Sequence, residues 1–188
     1  MHYAQAGEWA AASHYAVKAI VLRKSTDAAL IPWDFFPQYE TEALLRAGDE
    51  RQARAAVQRL GERMGSSPRF CLVYLRSLAA LAAWEGQSEQ AIDHLREAAQ
   101  LAVDLGLPAE RWQIQAALGT LYETSGQQEQ ANIAFAEAAT ILQRLAQAIR
   151  NEARRSHFLT APLIQQVLQQ AQGLTYQVSK DHAQQSRR

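Results

Sequence analysis

A glycine followed five residues later by an alanine occurs four times in this chain of 188 residues, at nearly constant spacing. The glycines lie 41, 38 and 40 residues apart along the sequence. The four pairs are Gly7 and Ala12, Gly48 and Ala53, Gly86 and Ala91, and Gly126 and Ala131. Self-similarity at such a period is typical of stacked helical repeats, in which each unit buries its apolar face against its neighbours. The repetition therefore predicts a helical-repeat array.

Helical periodicity flanks each glycine. After Gly126, apolar residues recur at steps of three and four, as one face of an amphipathic helix requires. A similar pattern precedes the glycine, so each unit reads as a helix, a tight turn and a second helix. Glycine suits the turn because the residue just past a helix end commonly takes the left-handed conformation. We expect the alanine to lie where the two helix axes come close, because a larger side chain there would push them apart.

Prolines and a change of pattern set the boundaries of the units. Pro68, preceded by the candidate N-cap Ser67, and Pro108 are expected at the first positions of two helices. The connection 27–37 is unusually apolar, and we expect it to pack on the array. Thr160 is a candidate N-cap for a helix over 161–173 with one apolar face, which would shield the last unit as a cap.

The predicted organisation is one helical-repeat domain over residues 1–173, with about three and a half helix-turn-helix units and the cap at 161–173. The tail, 174–188, has few large apolar residues and is expected to be disordered. Residues 1–6 are too short for a full first helix, so the chain reads as starting inside a repeat, as a fragment or with a partner covering the gap. The apolar side of residues 8–24 would then be open, which predicts self-association through this end.

Charge and composition exclude several classes of partner. Basic and acidic residues number 19 each, so no long-range field favours nucleic acid or an acidic membrane surface. No stretch approaches the roughly 18 apolar residues that a membrane span needs, and the first residues do not resemble a signal peptide. One cysteine fits a reducing compartment. The interpretation is a cytoplasmic protein with no direct nucleic-acid or membrane partner.

The sequence contains no constellation typical of catalysis. The five histidines are scattered without metal-ligand spacing, no glycine-rich phosphate loop is present, and no pair of carboxylates is forced together. We therefore expect no enzyme activity, no cofactor and no metal. Cys71, at the start of a helix, has two interpretations: an activated thiol, or a buried small hydrophobe. The basic stretch from Arg150 to Arg155 would either contact phosphate or be a solvated helix end that favours the helix dipole.

The unit from Trp112 to Thr140 resembles the tetratricopeptide repeat. Its signature spacings are occupied here by Leu118, Gly119, Tyr122, Ala131, Phe135 and Ala138. The unit before it keeps the equivalent apolar and small residues, and the first two units keep mainly the glycine and alanine. The period, near 40 instead of about 34 residues, is similar to that of long repeats in C-terminal regions of bacterial signalling ATPases, nucleotide cyclases and transcription activators of the maltose-activator type.

The resemblance implies an all-α fold: a right-handed superhelix of antiparallel helix pairs whose first helices line a concave groove. The groove-facing positions would be Gln38, Glu42, Arg46, Arg76, Ala80, Trp84, Gln113, Thr120 and Glu123. Arg46 and Arg76 would pair either with a ligand's acidic group or with neighbouring acids such as Glu42. Trp9 and Trp112 are interpreted as core, with Trp84 as the exception.

Two functions follow from the resemblance. The first is a non-enzymatic scaffold that binds a protein segment, or another domain of the same protein, as the regulatory or sensory end of a bacterial signalling or transcription-regulatory protein. The alternative is a small-molecule sensor that binds an inducer in the groove near Trp84.

Overall fold

The computed structural model of the chain is all-helical over the residues that it describes, 8–25, 37–63 and 67–185, with side chains described over 8–18, 39–62 and 67–173. This confirms the predicted all-α class. The helices are α1 Trp9–Ser25, α2 Pro37–Arg46, α3 Glu50–Arg63, α4 Pro68–Trp84, α5 Ser88–Asp104, α6 Pro108–Thr124, α7 Gln128–Ala148, α8 Glu152–Leu159 and α9 Pro162–Gln185. No helix in the described ranges combines the length and the apolar character needed to cross a bilayer.

The helices form two compact units, where the sequence predicts one repeat domain. The first unit runs up to Leu105 and contains α1 to α5, and the second starts at Gly106 and contains α6 to α9. Consecutive helices pack as pairs inside each unit: α2 on α3 and α4 on α5 in the first, and α6 on α7 in the second. Helix α2 also contacts α4, so the first helices of two successive pairs are neighbours.

The turns inside the three pairs share one backbone geometry. Gly48, Gly86 and Gly126 have φ values of 78°, 76° and 74°, in the left-handed region. At the last of these turns the Gly126 N–H donates to the Glu123 carbonyl at 3.1 Å, and the Gln127 N–H donates to the Tyr122 carbonyl at 2.8 Å. The same two bonds close the other two turns, and together they form the Schellman motif. The expected role of the glycines is confirmed for these three, while Gly7 lies outside the described residues.

The alanine that follows each turn glycine is buried, as the sequence predicts. Ala53, Ala91 and Ala131 are 0% exposed, and Ala12 is also buried. Ala53, Ala91 and Ala131 each lie in the first turn of the second helix of a pair. Full burial there fits the expected close approach of the two helices.

The core of the first unit is centred on α2. A buried cluster joins Leu44 and Leu45 of α2 to Ala53 and Ala56 of α3, and partly buried Val17 of α1 with Ala80 and Leu81 of α4 pack against it. Helix α2 is therefore held by three other helices. An ion pair between Arg54 of α3 and Glu85, just after α4, with 2.6 Å between nitrogen and oxygen, adds a polar link between successive pairs.

The core of the second unit lies between α6, α7 and α9. Its buried members are Trp112, Ala138, Ile141, Leu142, Ile164 and Val167. Helix α9 thus covers α7 with the apolar face that the sequence assigned to the cap. The helix continues to Gln185, beyond the residue 173 where the sequence ends the cap, so the predicted disordered tail overlaps a helical segment. The apolar connection 27–37 lies outside the described residues except for Pro37, which begins α2.

Helix α8 is an element that the sequence analysis did not predict. Helix α7 ends at Ala148, and the Asn151 side chain then caps α8 by accepting a hydrogen bond from the Arg154 N–H at 2.9 Å. Thr160, predicted as the N-cap of the cap helix, instead ends α8, and its hydroxyl donates to the His157 carbonyl at 3.1 Å. The N-cap prediction for Thr160 was wrong because Glu152–Leu159 form a separate helix and Thr160 is its C-cap.

Candidate functional site

The candidate residues of the first unit lie on α2 and α4. Glu42 and Arg46 are four residues apart on α2, and Arg76, Ala80 and Trp84 follow one another at steps of four on α4, so each set lies on one side of its helix. Arg46 and Trp84 each stand two residues before the turn glycine of their pair, and they therefore occupy equivalent positions in two helices that contact each other. We call these five residues the α2–α4 face.

Arg46 is held in place by two neighbours. Its Nη2 and Nε atoms donate to Glu42 Oε1 at 2.9 and 3.1 Å, and its guanidinium carbon lies 4.0 Å from the centre of the Trp9 ring on α1. Stacking on an indole is a favourable position for a planar guanidinium. Of the two interpretations of Arg46, pairing with Glu42 is the one observed. Trp9, which the sequence analysis read as core, borders the α2–α4 face through this contact.

Trp84 is half exposed, at 50% of its surface, whereas Trp112 in the second unit is 7% exposed. The sequence singled out Trp84 as the exception among the tryptophans, and its exposure agrees with that. On the same helix, Ala80 packs against the buried cluster of Leu44, Leu45, Ala53 and Ala56. Arg76 is half buried and interacts with another group of the protein. The face therefore offers one large apolar ring next to side chains that the fold holds in place.

The other predicted groove residues are placed separately. On α6, in the second unit, Gln113 is half buried, the Thr120 hydroxyl donates to the Ala116 carbonyl at 3.1 Å, and Glu123 is exposed. The side chain of Gln38 lies outside those described. The structure thus brings the α2 and α4 candidates together in one unit, and the α6 candidates belong to the other.

A polar cluster that the sequence analysis missed joins α6 to α7. Glu137 of α7 accepts hydrogen bonds from the guanidinium of Arg111 and, at 2.8 Å, from the side-chain amide of Gln115. All three side chains are partly buried. Residues 22 and 26 positions apart carry no local sequence signal that they meet, so only the packing of α6 on α7 reveals the cluster.

Cys71 does not have the environment of an activated thiol. Burial is the main cause that raises the pKa of the Cys71 thiol, and the negative charge of Glu97 raises it further. A raised pKa keeps the sulfur protonated at neutral pH, which favours the interpretation of a small hydrophobe. Within the described parts of the chain, no three histidine, cysteine, aspartate or glutamate side chains lie together as a metal site requires.

Comparison with known proteins gives no match to this chain, either among family models, among curated proteins or among solved structures. The geometry of the surface and the pattern of the sequence therefore carry the functional argument.

Proposed function

We propose that this chain is a tetratricopeptide-like helical-repeat scaffold that binds an extended protein segment along the α2–α4 face. The observation that carries the proposal is the repetition of one unit: a helix pair closed by a left-handed glycine and tightened by a fully buried alanine. The resemblance of α6 and α7 to the tetratricopeptide signature supports the same class. The proposed arrangement of the pairs is the right-handed superhelix of that class.

Trp84 is the proposed anchor of the bound segment. Tryptophan and arginine are the residues most enriched at interface hot spots, where a rigid apolar group fills a pocket of the partner. Trp84 is half exposed on α4, and Arg46 stands at the equivalent position on α2, with its guanidinium oriented by Trp9 and Glu42. Binding to the oriented Arg46 side chain requires little further immobilisation of that side chain, which favours affinity.

The proposed biological setting is the cytoplasmic regulatory or sensory region of a bacterial signalling or transcription-regulatory protein. The support for it is the long period of the repeat, which is similar to that in the C-terminal regions of such proteins. In this setting the bound segment belongs either to a separate protein or to another domain of the same polypeptide.

The test is binding of peptides selected on the purified protein from a display library, with affinity measured by fluorescence anisotropy. Trp84→Ala is expected to weaken binding at least tenfold, as loss of a hot-spot residue does. The control is Ile133→Ala, which removes an apolar side chain that is 62% exposed on α7 of the second unit. Equal affinities for the two variants would contradict use of the α2–α4 face.

The small-molecule alternative shares Trp84, since a half-exposed indole also stacks on a planar ligand. A thermal-shift screen against a metabolite panel separates the two functions. A saturable stabilisation that Trp84→Ala abolishes would favour the sensor over the scaffold, because a ligand that binds only the folded state raises the melting temperature by mass action.

Self-association through residues 8–24 stands as a second proposal about partners. Its support is the exposure of Tyr15 on α1, a helix rich in apolar residues. Light scattering at high micromolar concentration tests it: a dimer that Tyr15→Glu dissociates is the expected result, and a strict monomer contradicts it.

A further inference from the structure

Four arginines lie close together in the sequence around the end of α7 and the start of α8. Arg144 is near the end of α7, Arg150 lies between the helices, and Arg154 and Arg155 are in the first turn of α8. Arg144, Arg150 and Arg154 are exposed and Arg155 is half buried. We call these four residues the arginine corner.

The arginine corner differs in its pairing from four arginines elsewhere in the protein. Arg46, Arg54, Arg96 and Arg111 each form an ion pair with a carboxylate of the same unit. Among the described residues, no such pair involves an arginine of the corner. The sequence explains the difference, because Glu152 is the only carboxylate between Ala138 and Gly173. The positive charge is therefore concentrated along this part of the chain.

The partial charges at helix ends explain the position of Arg144 but not the positions of Arg154 and Arg155. Arg144 stands near the C-terminus of α7, where cations are favoured. Arg154 and Arg155, however, are in the first turn of α8, where the partial charge of the helix end is positive and an acidic residue is preferred. The helix dipole therefore does not account for these two arginines, whose side chains are at least partly open to water and available to an external anion.

The surroundings of the corner distinguish between classes of anionic partner. Phe158 of α8 packs on the core of the second unit, and α8 has only eight residues, so this helix has little apolar surface left to insert into a bilayer. Leu163, at the start of α9, is 40% exposed and offers an apolar contact just beyond α8. A guanidinium group donates two parallel hydrogen bonds to one carboxylate, so arginine suits a partner with aspartate or glutamate side chains.

We propose that the arginine corner docks an acidic segment of a partner protein, whose carboxylates pair with Arg150, Arg154 and Arg155 while an apolar side chain contacts Leu163. This surface belongs to the second unit and shares no residue with the α2–α4 face. The test of this proposal is therefore independent of the test of the proposed function.

The test uses a fluorescein-labelled peptide that carries a run of glutamates followed by a leucine, with binding followed by anisotropy. Exposed ion pairs are individually weak, so removing three is expected to weaken binding roughly tenfold. The variant is the triple substitution Arg150→Ala, Arg154→Ala and Arg155→Ala. The control removes the same charge from the first unit, by Arg51→Ala, Arg59→Ala and Arg69→Ala, and is expected to bind like the unmodified protein. Circular dichroism and thermal melting show that both variants keep the fold.

Three further measurements sharpen the outcome. Affinity is expected to fall as salt is raised from about 0.05 to about 0.5 M, because exposed charge pairs are screened. Leu163→Ala is expected to weaken binding of the peptide that carries leucine a few-fold. The same substitution is expected to leave the affinity for a glutamate peptide without leucine unchanged. Equal binding by the two triple variants would overturn the proposal. Tighter binding of a single-stranded oligonucleotide of equal charge, or of phosphatidylserine vesicles, would also overturn it by assigning the corner to a different class of partner.

Discussion

Gly119 of α6 faces the ring of Phe135 on α7 so closely that an added Cβ would lie 2.7 Å from the Phe135 Cε1 atom. The ring thus occupies the space that the missing side chain leaves, and α6 and α7 approach each other at this point. Both residues stand at signature positions of the repeat that the pair resembles.

Gly119→Ala is expected to destabilise the protein although it places a better helix former inside a helix. Helix propensity alone would favour alanine by roughly 1 kcal/mol, and the overlap with the Phe135 ring costs about 1 to 3 kcal/mol. In a Phe135→Leu background the clash is relieved, so the same substitution is expected to be neutral or stabilising. Thermal denaturation of the four proteins checks this. A matched control is Gly173→Ala on α9, where an added Cβ meets nothing within 4 Å and stability is expected to rise.

Gly126→Ala is expected to destabilise for a different reason. An added Cβ there also meets nothing within 4 Å, but the φ of 74° is a conformation that costs an L-residue about 1 to 2 kcal/mol. Gly126→Asn is expected to lose less, because asparagine tolerates the left-handed region. Urea denaturation orders the three proteins as glycine, asparagine, alanine from most to least stable. An alanine variant as stable as the unmodified protein would contradict the assigned turn.

Ala131→Leu is expected to cost about 1 to 3 kcal/mol by overpacking, because Ala131 is fully buried in the close contact between α6 and α7. The control is Ala136→Leu on the same helix, where the side chain is exposed and the change is expected to be nearly neutral. Denaturant midpoints measured on both variants give the comparison. An unchanged midpoint for Ala131→Leu would remove the packing explanation of the repeated alanine.

The glycine turns and the alanine contacts were predictable because each depends on one residue type at a fixed local spacing. The few residues around Gly86 and Ala91 are enough to predict the left-handed φ of the glycine and the burial of the alanine. Helix α8 was not predictable in the same way, since eight residues present no full apolar face and its start depends on the Asn151 cap.

The candidate site was only partly predictable. Trp84 is distinguished by its place in the repeat and is half exposed, and its role in binding stays a prediction. The stacking of Arg46 on Trp9 joins residues of different helices, and no local pattern signals such a contact. The two compact units divide after Leu105, where Gly106, with φ 65°, and Pro108 lie at the junction of α5 and α6.

Cys71 is expected to react slowly with a thiol-alkylating reagent near pH 8. Burial and Glu97 raise the pKa of the thiol, so the thiolate fraction is smaller in the folded protein than in the unfolded chain. As the pH rises, the rate in the folded protein is expected to increase later than the rate in urea. Glu97→Gln is expected to shift the folded profile slightly to lower pH. A folded protein that reacts faster than the denatured one would show an activated thiol instead.

The central proposal, that the α2–α4 face binds a protein segment, is tested most directly by hydrogen–deuterium exchange with and without a selected peptide. The peptide is expected to slow amide exchange in α2 and α4, around 39–46 and 76–84, more than in their partner helices α3 and α5. Protection concentrated in α3 and α5, with α2 and α4 unchanged, would contradict the claim.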